Sequence, residues 1–217
     1  MRRAAIVSPI RTAVGKFQGS LAPLQAGDLG AVILKALVER NAIPADDYDD
    51  VIFGCAGGGS NLAGLTFPFI GRNLREGTST QIVACEPAAC PSLTQGEYRY
   101  DHGDVAGLTP LLKMHTLGKD FVPPPIHAGG LRYHGMAPMV SHTLNLGLMT
   151  AIAVEQEDAF AAGVTFARAE GIIPAPESTH AVAGAIARAR AATTDETILI
   201  GLSGNGVLDL TAYADYV

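Results

Sequence analysis

The residues best suited to chemistry lie in Gly57-Gly58-Gly59-Ser60-Asn61, one residue after the apolar run Val51-Ile52-Phe53-Gly54-Cys55. A glycine turn at the mouth of a helix points several backbone N–H groups at one anion, and the helix dipole adds to the attraction. Any Cβ there would block close approach and disfavour positive φ, which is why such turns use glycine. Ser60 and Asn61 offer side-chain donors beside it. No Gly-Lys-Ser/Thr follows, so the run is not a P-loop, and its spacing is not the GxGxxG dinucleotide fingerprint. By pattern alone it is either an anion cradle or a plain strand-to-helix turn.

Other chemically able residues read modestly by themselves. Ser203, in Leu-Ser-Gly-Asn-Gly, fits an ordinary turn, and Glu170 before Gly171 fits a helix end. His127, His134 and His142 lack metal-ligand spacing. Cys85 and Cys90 read as small buried apolar groups, and Lys113 and Lys119 as solvated surface.

Alternating strands and helices must carry these residues. Ala4–Ser8 reads as a short strand, and Asp28 can cap a helix with Leu29, Val32, Ile33, Ala36 and Leu37 on one face. Lys35 and Glu39 lie one turn apart on its outside. After Pro44 and the acidic connector, 51–55 is a strand, and a short helix ends or bends near Pro68. A third strand covers 80–87, and a loop-rich stretch rich in Gly, Pro and His runs from Ala88 to about Gly147. A strand near 149–156 follows, then a helix with Phe160, Val164 and Ala167 facing inward. A second helix is capped by Ser178, and a last strand near 196–206 ends in a glycine turn. The order predicts an α/β fold with a mostly parallel sheet and flanking helices.

Composition limits the function classes. The chain has 217 residues, 48% hydrophobic and 17% charged, as in a globular protein. A net charge of −6 without a basic block argues against a nucleic-acid partner. Three cysteines without a CxxC pair fit a reducing cytoplasm. No apolar run approaches the roughly 18 residues of a membrane span, and Pro9 and Arg11 interrupt a signal-peptide reading.

Longer blocks add a resemblance. GCAGGGSNLAGLTFPFIGR, the stretch from CEPAACPSLTQGEYRYDHGD to GGLRYHGMAP, EGIIPAPESTHA and LSGNG occur in that order. Together they resemble the C-terminal half of the tryptophan synthase β-chain family over 54–217, in the variant group with GEYRYD and GGLRYHGMAP. The resemblance implies the C-terminal domain of a fold-type II pyridoxal-phosphate (PLP) enzyme, a lyase that joins L-serine and indole into L-tryptophan. It implies that Gly57, Gly58, Gly59, Ser60 and Asn61 hold the cofactor phosphate, that Ser203 faces the pyridine nitrogen and that Glu170 lies beside the ring. A neutral hydroxyl at that nitrogen keeps it unprotonated. The resemblance further implies a monovalent cation on the backbone oxygens of Ala56, Gly57, Glu86, Leu131, Tyr133 and Gly135. Arg132 stands where better-known β-chains carry Asp, which bears on the preferred substrate.

Residues 1–53 resemble a different family. AAIVSPIRTAVGKFQGSL through YDDVIFG is similar to the opening strand–loop–helix–strand of a thiolase, but the thiolase cysteine and histidine motifs are absent. The expectation is a chimera: a thiolase-like segment, 1–53, joined to a β-chain-like PLP-binding domain, 54–217. The family's Schiff-base lysine belongs to its N-terminal half, and neither Lys16 nor Lys35 has its context. No catalytic residue is therefore assigned, and the module is expected to be inactive alone. The alternative is a non-catalytic interaction protein that buries apolar faces in a homo-oligomer or against a partner; thiolase-type acyl transfer ranks last.

Overall fold

The computed structural model describes Val32, Lys35, Ala36, Glu39, Arg40 and residues 51–217. The chain divides into two units, 1–49 and 50–217. In the first, the five described residues are helical, and Lys35 Nζ lies 3.7 Å from Glu39 Oε1 as their i,i+4 spacing predicts. Val32, expected on the inward apolar face, is instead 62% exposed. The strand expected at Ala4–Ser8 and most of the thiolase-like segment lie outside the described residues.

In the second unit the elements are β1 (Val51–Cys55), α1 (Ser60–Glu76), β2 (Gln81–Pro87), β3 (Glu97–His102) and β4 (Leu111–Thr116). They continue with α2 (Pro138–Asn145), β5 (Thr150–Val154), α3 (Gln156–Glu170), α4 (Pro176–Ala191), β6 (Ile198–Ile200) and α5 (Leu210–Tyr213). The main sheet has the order β5-β2-β1-β6, and every pair in it is parallel. β3 and β4 form a separate antiparallel pair, with Glu97 opposite Thr116. This is the α/β class expected from the sequence.

The period of two along β1 divides the core between the two faces of the sheet. Ile52 joins Leu62 and Ile70 of α1, Ile82 of β2 and Val140 of α2. Val51 and Phe53 point the other way, to Cys85, Val154, Ala159 of α3 and Ala181 and Ala185 of α4. β1 is buried on both faces, which accounts for its unbroken apolar sequence. Gly184 lets α4 lie close to the sheet: a Cβ there would come within 2.8 Å of the Phe53 ring and 2.9 Å of Cys85 Sγ.

Two local expectations are corrected. α1 does not end near Pro68 but runs through it for 17 residues. The bond Pro68 forgoes is to the carbonyl of Gly64, which is exposed, so water can take its place. The loop-rich stretch 88–147 also holds the β3–β4 pair and α2. Polar anchors organise it: Thr116 Oγ1 donates to buried Asp101 Oδ2 at 2.7 Å, and the His115 N–H donates to Ser141 Oγ at 2.9 Å. Ser178 does not cap α4, which starts two residues earlier with Ala175 at the N-cap; its hydroxyl is used elsewhere.

Candidate functional site

Because all four strands of the main sheet run the same way, their C-terminal ends share one edge, where α/β proteins place ligands. Cys55–Gly59, Glu86–Pro87, Val154–Glu155 and Gly201–Ser203 all follow strands onto it. The glycine run joins β1 to α1 there. Gly59 is the N-cap of α1 with φ 101°, left-handed backbone that favours glycine, and no side chain caps the helix. The first helical bond is from Ala63 N–H to Gly59 O at 2.9 Å. None of the backbone N–H groups of residues 57–62 donates to a described residue.

The wall facing this run comes from residues 130–137. A Cβ on Gly57 would stand 2.7 Å from Gly130 O and 3.0 Å from Leu131 Cα. One on Gly58 would meet the Tyr133 ring at 3.0 Å, and one on Gly59 the Met136 sulfur at 2.7 Å. Ala137 N–H closes the wall by donating to Gly58 O at 3.0 Å. The ledge stays accessible, because Ser60 and Asn61 are exposed. N–H donors without a partner among the described residues, behind glycines packed closely against the wall, fit a phosphate group in shape and donor chemistry.

Next to β1 in the sheet, β6 leads into Ser203. Its Oγ lies 3.6 Å from Cys55 Sγ and 3.2 Å from Ser178 Oγ. Ser178 Oγ also accepts from Ser203 N–H and Gly204 N–H, each at 3.1 Å. Next to it in α4, Glu177 Oε1 accepts from Gly130 N–H at 2.8 Å. Thus Glu177 holds the wall beside the glycines while Ser178 holds Ser203. Glu177 is an acid at this edge that the sequence analysis does not name. Glu170, expected beside the ring, is the last residue of α3, whose end is closed by Gly171 N–H donating to Ala167 O at 2.9 Å. No hydrogen bond or ion pair joins Glu170 to the cradle or to Ser203 among the described residues. Helix position could have pointed to Glu177, since an acid in the first turn of α4 favours an N-terminus at the sheet edge.

Of the backbone oxygens assigned to a cation, those of Ala56, Gly57, Leu131 and Tyr133 belong to residues in direct succession or contact around the cradle. Glu86 lies alongside on β2, where Ala56 N–H donates to Cys85 O at 2.8 Å. Gly135 sits further along the wall, bridged to Thr116. The Leu131 carbonyl already accepts from Tyr133 N–H at 3.0 Å. The Glu86 side chain is fully buried and clamps the following loop through Leu93 N–H, Thr94 N–H, Thr94 Oγ1 and Ser92 Oγ. Burial pushes its carboxyl up, against the pull of those donors.

Burial also raises the Cys55 thiol, with Ser203 pulling it down and Glu177 adding to the rise, so it is ill suited to act as a thiolate nucleophile. Burial raises the thiols of Cys85 and Cys90 too, and all three cysteines are free and buried. A cavity of about 50 Å3 lies near the ends of β2 and β5, lined by Pro87, Val154, Phe160 and His180 among others. The glycine cradle is a ledge distinct from it. Among the described residues, no helix is long and apolar enough to cross a membrane, and no group of three or more His, Cys, Asp or Glu could hold a metal.

The profile of the pyridoxal-phosphate dependent enzyme family matches residues 36–204. The chain belongs to this family. Its cofactor is accordingly pyridoxal phosphate. The profile of the thiolase N-terminal domain matches residues 4–66, so the two matches overlap over 36–66. The tryptophan synthase beta chain of Pseudothermotoga lettingae is 51% identical over 197 residues, 85% of this chain and 46% of the relative. Beta chain 2 of Thermotoga maritima is 52% identical over 197 residues, with the same shares. The beta chain of Thermosipho africanus is 55% identical over 188 residues, 85% of this chain and 43% of the relative. The chain spans about half the length of these curated relatives. The crystal structure of a T.th. threonine deaminase has a TM-score of 0.53 at 19% identity, covering 82% of this chain and 56% of that one. That likeness concerns the fold, which is of the type II class expected from the sequence.

Proposed function

We propose that the chain is the cofactor-binding module of a tryptophan synthase β-like lyase acting on L-serine and indole. Gly57, Gly58, Gly59, Ser60 and Asn61 receive the phosphate, and Ser203 meets the ring nitrogen. The observation that carries this reading is the row of unpaired N–H groups at residues 57–62, facing a glycine-tolerant wall in a chain of this family. When bound, pyridoxal phosphate supplies the electron sink for replacement at the β-carbon of an amino acid. This chain's residues anchor the phosphate, orient the ring and hold a hydroxyl at its nitrogen. Glu177, whose Oε1 accepts from Gly130 N–H on the cradle wall, takes the place beside the ring rather than Glu170. A monovalent cation on the oxygens around Ala56, Gly57 and Leu131 would stiffen the wall.

The described lysines do not serve the site. Lys35 pairs with Glu39, Lys113 lies over the Tyr98 ring at 4.9 Å, and Lys119 pairs with Asp120 at 2.8 Å. Lys16 lies outside the described residues and lacks the family's lysine context in sequence, so on this reading the module needs a lysine supplied by other polypeptide. Titration with PLP should raise the melting temperature, because the ligand binds only the folded chain, and inorganic phosphate should compete. Gly58→Asp should abolish the shift by steric block and charge repulsion; an unchanged shift would reduce the run to a turn. Borohydride treatment should leave no specific pyridoxyl adduct, and a single modified lysine would refute the inactivity claim.

A second reading is an interaction protein. It is favoured by the exposed apolar residues of the β3–β4 pair and its connection, where Tyr100 is 64%, Val105 66%, Leu108 87% and Leu111 56% exposed. Concentration-dependent self-association with no response to PLP would select it.

A further inference from the structure

A serine hydroxyl has one proton to donate and two lone pairs with which to accept. Ser178 Oγ is fully buried and accepts from two backbone donors, Ser203 N–H and Gly204 N–H, both at 3.1 Å. Its lone pairs are thereby engaged, and its proton needs an acceptor. Ser203 Oγ, at 3.2 Å, is the acceptor in hydrogen-bond reach among the described residues. The reverse bond would crowd three protons onto Ser178 Oγ and strand its own proton in a site closed to water. The bond therefore runs from Ser178 to Ser203.

That direction fixes what Ser203 offers. Its oxygen accepts one proton already, which makes its own O–H a stronger donor and its remaining lone pair a poorer acceptor. The other partner in reach is Cys55 Sγ at 3.6 Å, a weak acceptor that the hydroxyl can leave at little cost. Backbone N–H groups, Ser178 and Ser203 thus form a head-to-tail chain ending in a free donor on the exposed edge of the sheet.

We propose that Ser178 is a positioning residue that orients and polarises Ser203 as a donor, so that the site selects a ring nitrogen carrying a lone pair over a protonated one. This rests on the cofactor reading above. A carboxylate in place of Ser203 would select the protonated ring instead. With Ser178 acting on it, the serine presents the opposite polarity, and Ser203 alone, free to rotate, would discriminate weakly.

Two measurements test the proposal. Neutron diffraction from the ligand-free chain should place the deuteron on Ser178 Oγ, directed at Ser203 Oγ. A deuteron running from Ser203 to Ser178 overturns the proposal whether or not PLP binds. The second uses PLP labelled with 15N in its ring. Bound to the unmodified chain and to Ser178→Thr, the label should show the shift of an unprotonated pyridine. In Ser178→Ala it should move toward the pyridinium position, with PLP bound roughly fivefold more weakly, as for loss of one ordinary hydrogen bond. An unmoved 15N shift in a folded Ser178→Ala overturns the proposal. Failure of the unmodified chain to perturb the 31P resonance of PLP would sink the cofactor reading instead. If Ser178→Ala does not fold, the neutron map decides the direction of the bond.

Discussion

Adding one methyl group at Gly57 should strain the cradle wall without any ligand present. Gly57 lacks a positive φ, so the penalty is steric rather than conformational. Its new Cβ would lie 2.7 Å from Gly130 O, 3.0 Å from Leu131 Cα and 3.1 Å from Leu131 Cδ2. The first two are backbone atoms, and the turn that carries them is tied down by Glu177 and by burial of Leu131. Overpacking of this kind costs about 1–3 kcal/mol. At roughly 2–4 °C per kcal/mol for a domain of this size, Gly57→Ala should lower the melting temperature by about 2–12 °C. Gly64→Ala is the internal control, since a Cβ there meets nothing within 4 Å on an exposed turn of α1. Ala in a helix interior is favoured over Gly by about 0.5–1 kcal/mol, so this variant should melt higher by about 1–4 °C. Gly58→Ala should fall between them, because the Tyr133 ring it meets is 47% exposed and can swing aside. Calorimetry on the three variants without ligand decides the matter. Equal melting temperatures for Gly57→Ala and Gly64→Ala would mean that the wall does not press on the cradle as described.

Glu86→Gln should lower the urea midpoint by an amount equivalent to about 2–3 kcal/mol, because an amide NH2 would face donors that now share two carboxylate oxygens. An unchanged midpoint would show that the carboxyl is held protonated in the folded chain. Asp104 is held down to about 2 by Thr109 Oγ1 and by the Leu108 and Thr109 N–H groups. An acid depressed on folding stabilises only when ionised, so its contribution is complete above about pH 4 and lost as pH falls through about 2. Hydrogen exchange at the Leu108 amide should accelerate across that window; a rate following only the intrinsic pH dependence would contradict the assignment.

The sequence by itself determined the alternation of elements, because apolar periods of two and of about 3.6 are local properties of the chain. It also located the glycine run at a strand-to-helix junction, since an apolar run, three glycines and the start of a helical pattern are consecutive in the chain. Tertiary structure decided which groups stand opposite. Glu177 meets Gly130 across 47 residues and Cys55 meets Ser203 across 148, separations that leave no local pattern. The same cause separates the two glutamates. Glu170 ends a helix and Glu177 begins one, and only packing of α4 against β1 carries the second to the ligand edge. Ser178 reads in sequence as a cap because serine near a helix start usually is one. In the fold, two backbone N–H groups from the end of the sheet reach its hydroxyl and give it a different task.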